Sequence, residues 1–104
     1  MVTQTQSFVS PDLETVRKIV RGQLMGYKAK VYLFGSRAVG KAHRFSDIDV
    51  AVLPLQPVPA RVFAEIREAL EESDVIYSVD LVNLSETDDQ FQQRVLKEGV
   101  LWSE

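Results

Sequence analysis

The chain of 104 residues has no cysteine. A disulfide framework and a thiolate metal site are both excluded by that absence. Long apolar runs are missing too, and none approaches the roughly 20 residues a helix needs to cross a bilayer. The first ten residues, ending at Ser10, are mostly polar and have neither a basic start nor an apolar stretch, so no signal peptide is expected. Nor is there a strong charge of either sign. The net charge is −3 and the pI about 5.1, which leaves no general positive surface for long nucleic acid. Internal repeats, low-complexity segments and domain boundaries are equally absent. What remains is 45% hydrophobic, the composition of a folded domain, and long enough for one core but not two. A cytoplasmic domain with no membrane partner is the expectation.

Hydrophobic periodicity divides the chain into alternating elements. Residues 1–9 read as a flexible arm, and 10–104 as a single domain. Ser10-Pro11 has the form of an N-cap followed by proline at the first helical position. Leu13, Val16, Ile19, Val20 and Leu24 then follow helical spacing, with Gly26 as the stop. Strands are expected at about 30–34, 47–53 and 76–82. A helix over 60–72 would turn Val62, Phe63, Ile66, Ala69 and Leu70 inward and leave Glu65, Glu68, Glu71 and Glu72 to solvent. Ser85 is the expected cap of a last helix, with Asp88 at N3, Phe91 and Val95 inward and Gly99 as its end.

The most informative pattern is Gly35-Ser36, ten residues, then Asp47-Ile48-Asp49. An apolar run, Val31-Tyr32-Leu33-Phe34, delivers the Gly-Ser pair to a strand's end. The intervening stretch carries Arg37, Lys41, His43 and Arg44 and no acid. Strand side chains alternate, so Asp47 and Asp49 share one face while Ile48, Val50 and Val52 take the other. Two carboxylates side by side repel and require neutralisation. A divalent cation does this, and Mg2+ typically combines one or two carboxylates with substrate phosphates. Glycine allows backbone to approach a phosphate, and the serine hydroxyl and nearby N–H groups can bond to it. Together these are the parts of a metal-dependent nucleotidyl transfer site.

Ten residues are too few for a comfortable parallel crossover, so the first two strands should be antiparallel neighbours, which places Ser36 near Asp47 and Asp49. The unit from 47 to 82 is long enough to be parallel. A mixed α+β fold follows, with a sheet of at least three strands and helices packed on it. Asp80 lies between Val79 and Leu81, where an unpaired buried charge would be expensive. Alone, an edge position or a salt bridge accounts for it. Beside the other two elements it reads as a third carboxylate on the same face.

The stretch from Leu33 to Gly40, then Phe45-Ser46-Asp47-Ile48-Asp49-Val50-Ala51-Val52, resembles the motif of the minimal nucleotidyltransferases, the smallest members of the polymerase-β-like superfamily. The resemblance extends to Val79-Asp80-Leu81 and to the closing stretch from Arg94 to Val100, and covers about residues 12–102. It implies the nucleotidyltransferase fold, two Mg2+ ions and ATP as substrate. Asp47 and Asp49 would hold both ions and Asp80 would complete one site. Gly35 and Ser36 would bind the β- and γ-phosphates. Arg37, Lys41 and Arg44 either add positive charge around the leaving group or form a solvated loop. His43 reads as a solvated side chain, and Ser46 as a residue orienting Asp47. Tyr27, Tyr32, Tyr77 and Trp102 read as core residues rather than adenine-stacking ones.

Family members are often antitoxins that transfer AMP to a helical HEPN-type toxin. The expected function is therefore AMPylation of a partner toxin's hydroxyl, a tyrosine by resemblance. Two alternatives stand beside it: an antitoxin acting by binding alone, and a small-molecule nucleotidyltransferase that completes its acceptor pocket as a homo-oligomer.

Overall fold

The computed structural model describes residues 11–35 and 47–102. The expected N-terminal arm, Ser10, Ser36, Arg37, Lys41, His43, Arg44 and Ser46 lie outside the described residues. Helix α1 (Pro11–Gln23) leads to strand β1 (Ala29–Phe34). Strand β2 (Ile48–Pro54), helix α2 (Ala60–Glu71) and strand β3 (Val79–Asn83) follow. A 3-10 turn (Leu84–Glu86), helix α3 (Asp89–Glu98) and a short strand β4 (Val100–Leu101) complete the order. Among the described residues no helix is long and apolar enough to cross a membrane.

The strands form one mixed sheet in the order β3-β2-β1-β4. β1 and β2 are antiparallel and β2 and β3 parallel, as the connection lengths require. Side-chain alternation sends Val31 and Leu33 of β1, Ile48, Val50 and Val52 of β2 and Leu81 of β3 to one face. There they pack with Leu13, Val16 and Val20 of α1 and Val62, Phe63, Ile66 and Leu70 of α2. Burying side chains of this kind stabilises the fold by about 1.5–3 kcal/mol each. The opposite face carries a smaller cluster, in which Tyr32 and Ala51 meet Leu84 and Val95, with Phe34, Leu53 and Phe91 at its margin. The molecule is thus layered, with α1 and α2 on one side of the sheet and α3 on the other.

Three local expectations need correction. The third strand begins at Val79, not 76, because the parallel ladder begins where β2 does: Ile48 pairs with Val79, and the Ile48 N–H donates to the Ser78 carbonyl at 2.9 Å. Ile76 has no strand beside it and is 82% exposed. The last helix is capped by Asp88 rather than Ser85. The Asp88 carboxylate accepts from the Phe91 N–H at 2.8 Å, whereas Ser85 is taken into the 3-10 turn by Asn83, whose Oδ1 accepts from both its N–H and its hydroxyl. Ala69 is only half-buried, while Val62, Phe63, Ile66 and Leu70 are buried.

A fourth strand, β4, was not anticipated, since two residues are too few for alternation to register. It pairs antiparallel with β1, and the Trp102 N–H continues the contact by donating to the Val31 carbonyl at 2.7 Å. Gly99 makes the turn into it. Its φ is ordinary at −75°, so its role is close approach: a Cβ there would come within 2.6 Å of the Val95 carbonyl oxygen and 3.2 Å of that of Leu33. The other edge of the sheet, β3, is partly covered by Arg67, whose Nη2 donates to the Leu81 carbonyl at 3.1 Å. Tyr32 is buried, and Tyr27, Tyr77 and Trp102 pack against the main core, as expected of core aromatics.

Candidate active site

Register brings the candidate residues together across three strands. Asp49 of β2 lies directly opposite Asp80 of β3 in the parallel ladder. On its other side, Asp49 pairs with Phe34, the last residue of β1, so Gly35 follows immediately beside it. Adjacent strands are about 4.8 Å apart, so Asp80, Asp49 and Phe34 succeed one another across the sheet at a single level, and Gly35 stands one residue beyond Phe34. Asp47 precedes β2 by one residue and is exposed. Asp49 is half-buried, and Asp80 is exposed on the edge strand. The edge position and the shared face, alternatives for Asp80 in the sequence, therefore hold together.

Gly35 is where backbone geometry and site chemistry coincide. Its φ is +79°, in the left-handed region that favours glycine. A Cβ on this residue would stand against the Asp49 carboxylate, 3.2 Å from its Cγ and closer still to Oδ2. Any side chain would therefore strain the backbone and displace the central carboxylate of the row. The constraint ties the end of β1 to the chemistry of β2.

Like charges on adjacent strands disfavour one another unless a counter-charge stands between them. The donors available are carboxylate oxygens with no thiolate, which suits a hard cation such as Mg2+. Among the described residues no three His, Cys, Asp or Glu side chains are already gathered as a metal cluster. What converges is the backbone, which puts Asp49 and Asp80 opposite one another on adjacent strands.

A feature missed in the sequence adjoins this row. A cavity of about 370 Å3 opens between the end of β1 and α3, with Gly35 and Asp49 at one end. Phe34, Phe91, Arg94, Val95 and Glu98 form the rest of its lining. Phe34 and Phe91 meet edge to face, with ring centroids 5.7 Å apart. Arg94 Nε and Glu98 Oε1 are 3.9 Å apart on successive turns of α3. Positions 91, 94, 95 and 98 follow the i, i+3, i+4, i+7 pattern of a single helix face. In the sequence Phe91 and Val95 read as core residues, and Arg94 and Glu98 enter only within the closing stretch that carries the family resemblance.

The polymerase beta nucleotidyltransferase family matches residues 22–104. The "Probable protein adenylyltransferase MntA" of Haemophilus influenzae is 33% identical over 95 residues, spanning 91% of this chain and 82% of that protein. A toxin–antitoxin crystal structure with AMP-PNP superposes with a TM-score of 0.70 at 30% identity, covering 90% of this chain and 73% of its counterpart. A second similar structure is that of a tri-AMPylated Shewanella oneidensis HEPN toxin in complex with an MNT antitoxin, with a TM-score of 0.64 at 26% identity over 88% of this chain and 69% of that one. Carboxylates, strand order and glycine thus stand in a chain that belongs to the polymerase beta nucleotidyltransferase family and, within it, to the minimal nucleotidyltransferases.

Proposed function

We propose that this chain transfers AMP from ATP to a hydroxyl, a tyrosine, of a HEPN-type toxin and so acts as its antitoxin. The observation that carries this reading is the row formed by Asp80, Asp49 and Gly35, in which two carboxylates on adjacent strands meet a backbone that tolerates no side chain. Similarity to an adenylyltransferase and to a complex containing an AMPylated HEPN toxin supports the substrate and the partner.

Asp47 and Asp49 would hold two Mg2+ ions, with Asp80 completing the site nearer the acceptor. When bound, the ions neutralise the triphosphate and stabilise charge on the entering and leaving oxygens. Gly35 brings backbone against the β- and γ-phosphates, and the Ser36 hydroxyl bonds to them. Arg37, Lys41 and Arg44 add positive charge where pyrophosphate departs. Asp80, exposed on the edge strand, takes the proton from the incoming hydroxyl. The acceptor oxygen bonds to the α-phosphorus, the bond from that phosphorus to the bridging oxygen breaks, and the electron pair leaves with pyrophosphate.

Coexpression with the product of the neighbouring gene, followed by mass spectrometry, tests the reading. One or more AMP additions are expected on that protein, and none with Asp49→Asn. Full neutralisation of the toxin by Asp49→Asn without a mass change would replace transfer with inhibition by binding alone.

A further inference from the structure

Exposure alternates along the chain that leads into β3. Val75, Tyr77 and Val79 are partly buried against the main core, while Ile76, Ser78 and Asp80 are exposed. The outward row ends on the carboxylate that the transfer reading assigns to the acceptor. Ile76 stands at its start, 82% exposed and no more than about 14 Å from Asp80 along the chain. A lone exposed apolar side chain is ordinary on a protein surface, but the place of this one is not. Met25 is nearly as exposed, yet it precedes the start of β1, which pairs with the end of β2 farthest from Asp49. Beside Ile76, a groove of about 300 Å3 runs between α2 and the start of β3. Leu70, Val75, Tyr77 and Val79 give it apolar walls, and Arg67 and Glu71 add charge.

We propose that the segment from Val75 to Asp80, with its groove, is where the acceptor protein docks, Ile76 entering an apolar socket beside the acceptor hydroxyl; the inference rests on the transfer reading above. A hydroxyl brought to Asp80 carries the surface around it across this segment, so a contact there is continuous with the site. A small-molecule acceptor would end at Asp80 and leave Ile76 in water. A second copy of this chain fits worse. Glu71 and Asp74 are exposed beside the segment, and a two-fold contact would set the patch against itself, acids facing acids. The partner that fits has cations around its apolar socket. A central side chain seated in a desolvated pocket carries far more of the binding energy than a charge at the rim. Ile76 takes the first role and Asp74 the second.

Titration calorimetry and transfer kinetics with the purified product of the neighbouring gene test this on wild type, Ile76→Ser, Asp74→Lys and Met25→Ser, with melting temperatures confirming that each variant folds. Ile76→Ser should weaken binding of that protein, and raise its KM, by about tenfold or more. Its kcat at saturating partner and its affinity for Mg-ATP should stay within about twofold of wild type. Asp74→Lys should cost less, and its loss should shrink as salt is added. Met25→Ser should change neither binding nor transfer. Unchanged Kd and KM in Ile76→Ser would overturn the proposal, as would an equal loss in Met25→Ser. A wild-type dimer that Ile76→Ser turns into a monomer, with partner binding intact, would give the patch to a second copy instead. A partner that binds but gains no AMP would overturn the transfer reading alone, and its loss from Ile76→Ser would still decide the docking surface. A partner neither bound nor modified by wild type would overturn both.

Discussion

On one face of β2, Ile48, Val50 and Val52 are fully buried beneath α1 and α2; on the other, Asp49 is half-exposed and shares its side with Ala51 and Leu53 beneath α3. The first face joins apolar side chains of three strands to those of two helices. Among the described residues the second is covered by α3, ten residues long, and by Leu84 of the 3-10 turn, and the cavity lies where α3 reaches Asp49. A single step along the strand separates residues that hold the fold from one placed for chemistry. The packed face fixes the backbone to which the carboxylates are attached, so the open face can hold like charges at close range without the fold depending on them.

The sharpest way to break this comparison is to exchange the two kinds of residue. Val50→Asp would bury a carboxylate among apolar side chains with no partner, at a cost of several kcal/mol. Chemical denaturation should show a protein largely unfolded. A folded, stable Val50→Asp variant would mean that the packed face is looser than its full burial indicates. Asp49→Asn makes the complementary change on the open face. We expect transfer to fall by about a thousandfold or more, by loss of the central metal-holding carboxylate, with stability within about 1 kcal/mol of wild type because one of two opposed charges is removed. Activity and thermal unfolding, measured on the same preparation, check both halves.

Gly35→Val should combine the two effects at smaller size. A branched residue at positive φ costs on the order of 1–3 kcal/mol, and its side chain would displace the Asp49 carboxylate. Melting temperature and ATP affinity should therefore fall together, whereas Ser36→Ala should lower ATP affinity alone. If calorimetry showed wild-type ATP affinity in both variants, the assignment of phosphate binding to this corner would fail.

The packed face was the more legible half. Its residues repeat at the periods of helix and strand, so Val16, Val20, Val50, Val52, Ile66 and Leu70 could be placed in the core before any coordinates. Connection lengths then dictated which strands run parallel. The row of Asp49, Asp80 and Gly35 was legible in part, because alternation and a strand end suffice to bring those residues together. The α3 side was read less well. β4 is too short for a periodic signal, and the pocket depends on where a helix crosses the sheet, which no local pattern encodes. Ser85 and Asp88 both had the chemistry of a cap, and the choice turned on Asn83, a competitor whose position only the folded turn reveals.

That choice also yields the smallest and most local expectation. The Asp88 carboxylate satisfies the Phe91 N–H at the start of α3, and Phe91 is both the edge-to-face partner of Phe34 and a wall of the pocket. Asp88→Ala removes that cap at a typical cost of about 1 kcal/mol. Ser85→Ala removes only an exposed hydroxyl that donates to the Asn83 side chain at the end of β3, and should change stability by less than about 0.5 kcal/mol. Because α3 is the only α-helix among the described residues that packs on the open face, the loss should be unevenly spread. Hydrogen exchange in Asp88→Ala should quicken across Asp89–Glu98 and β4, while the amides of α1, α2 and β2 keep their protection. Uniform acceleration throughout the molecule would show that the two faces unfold as one unit and that α3 is not an independently adjustable cover over the site.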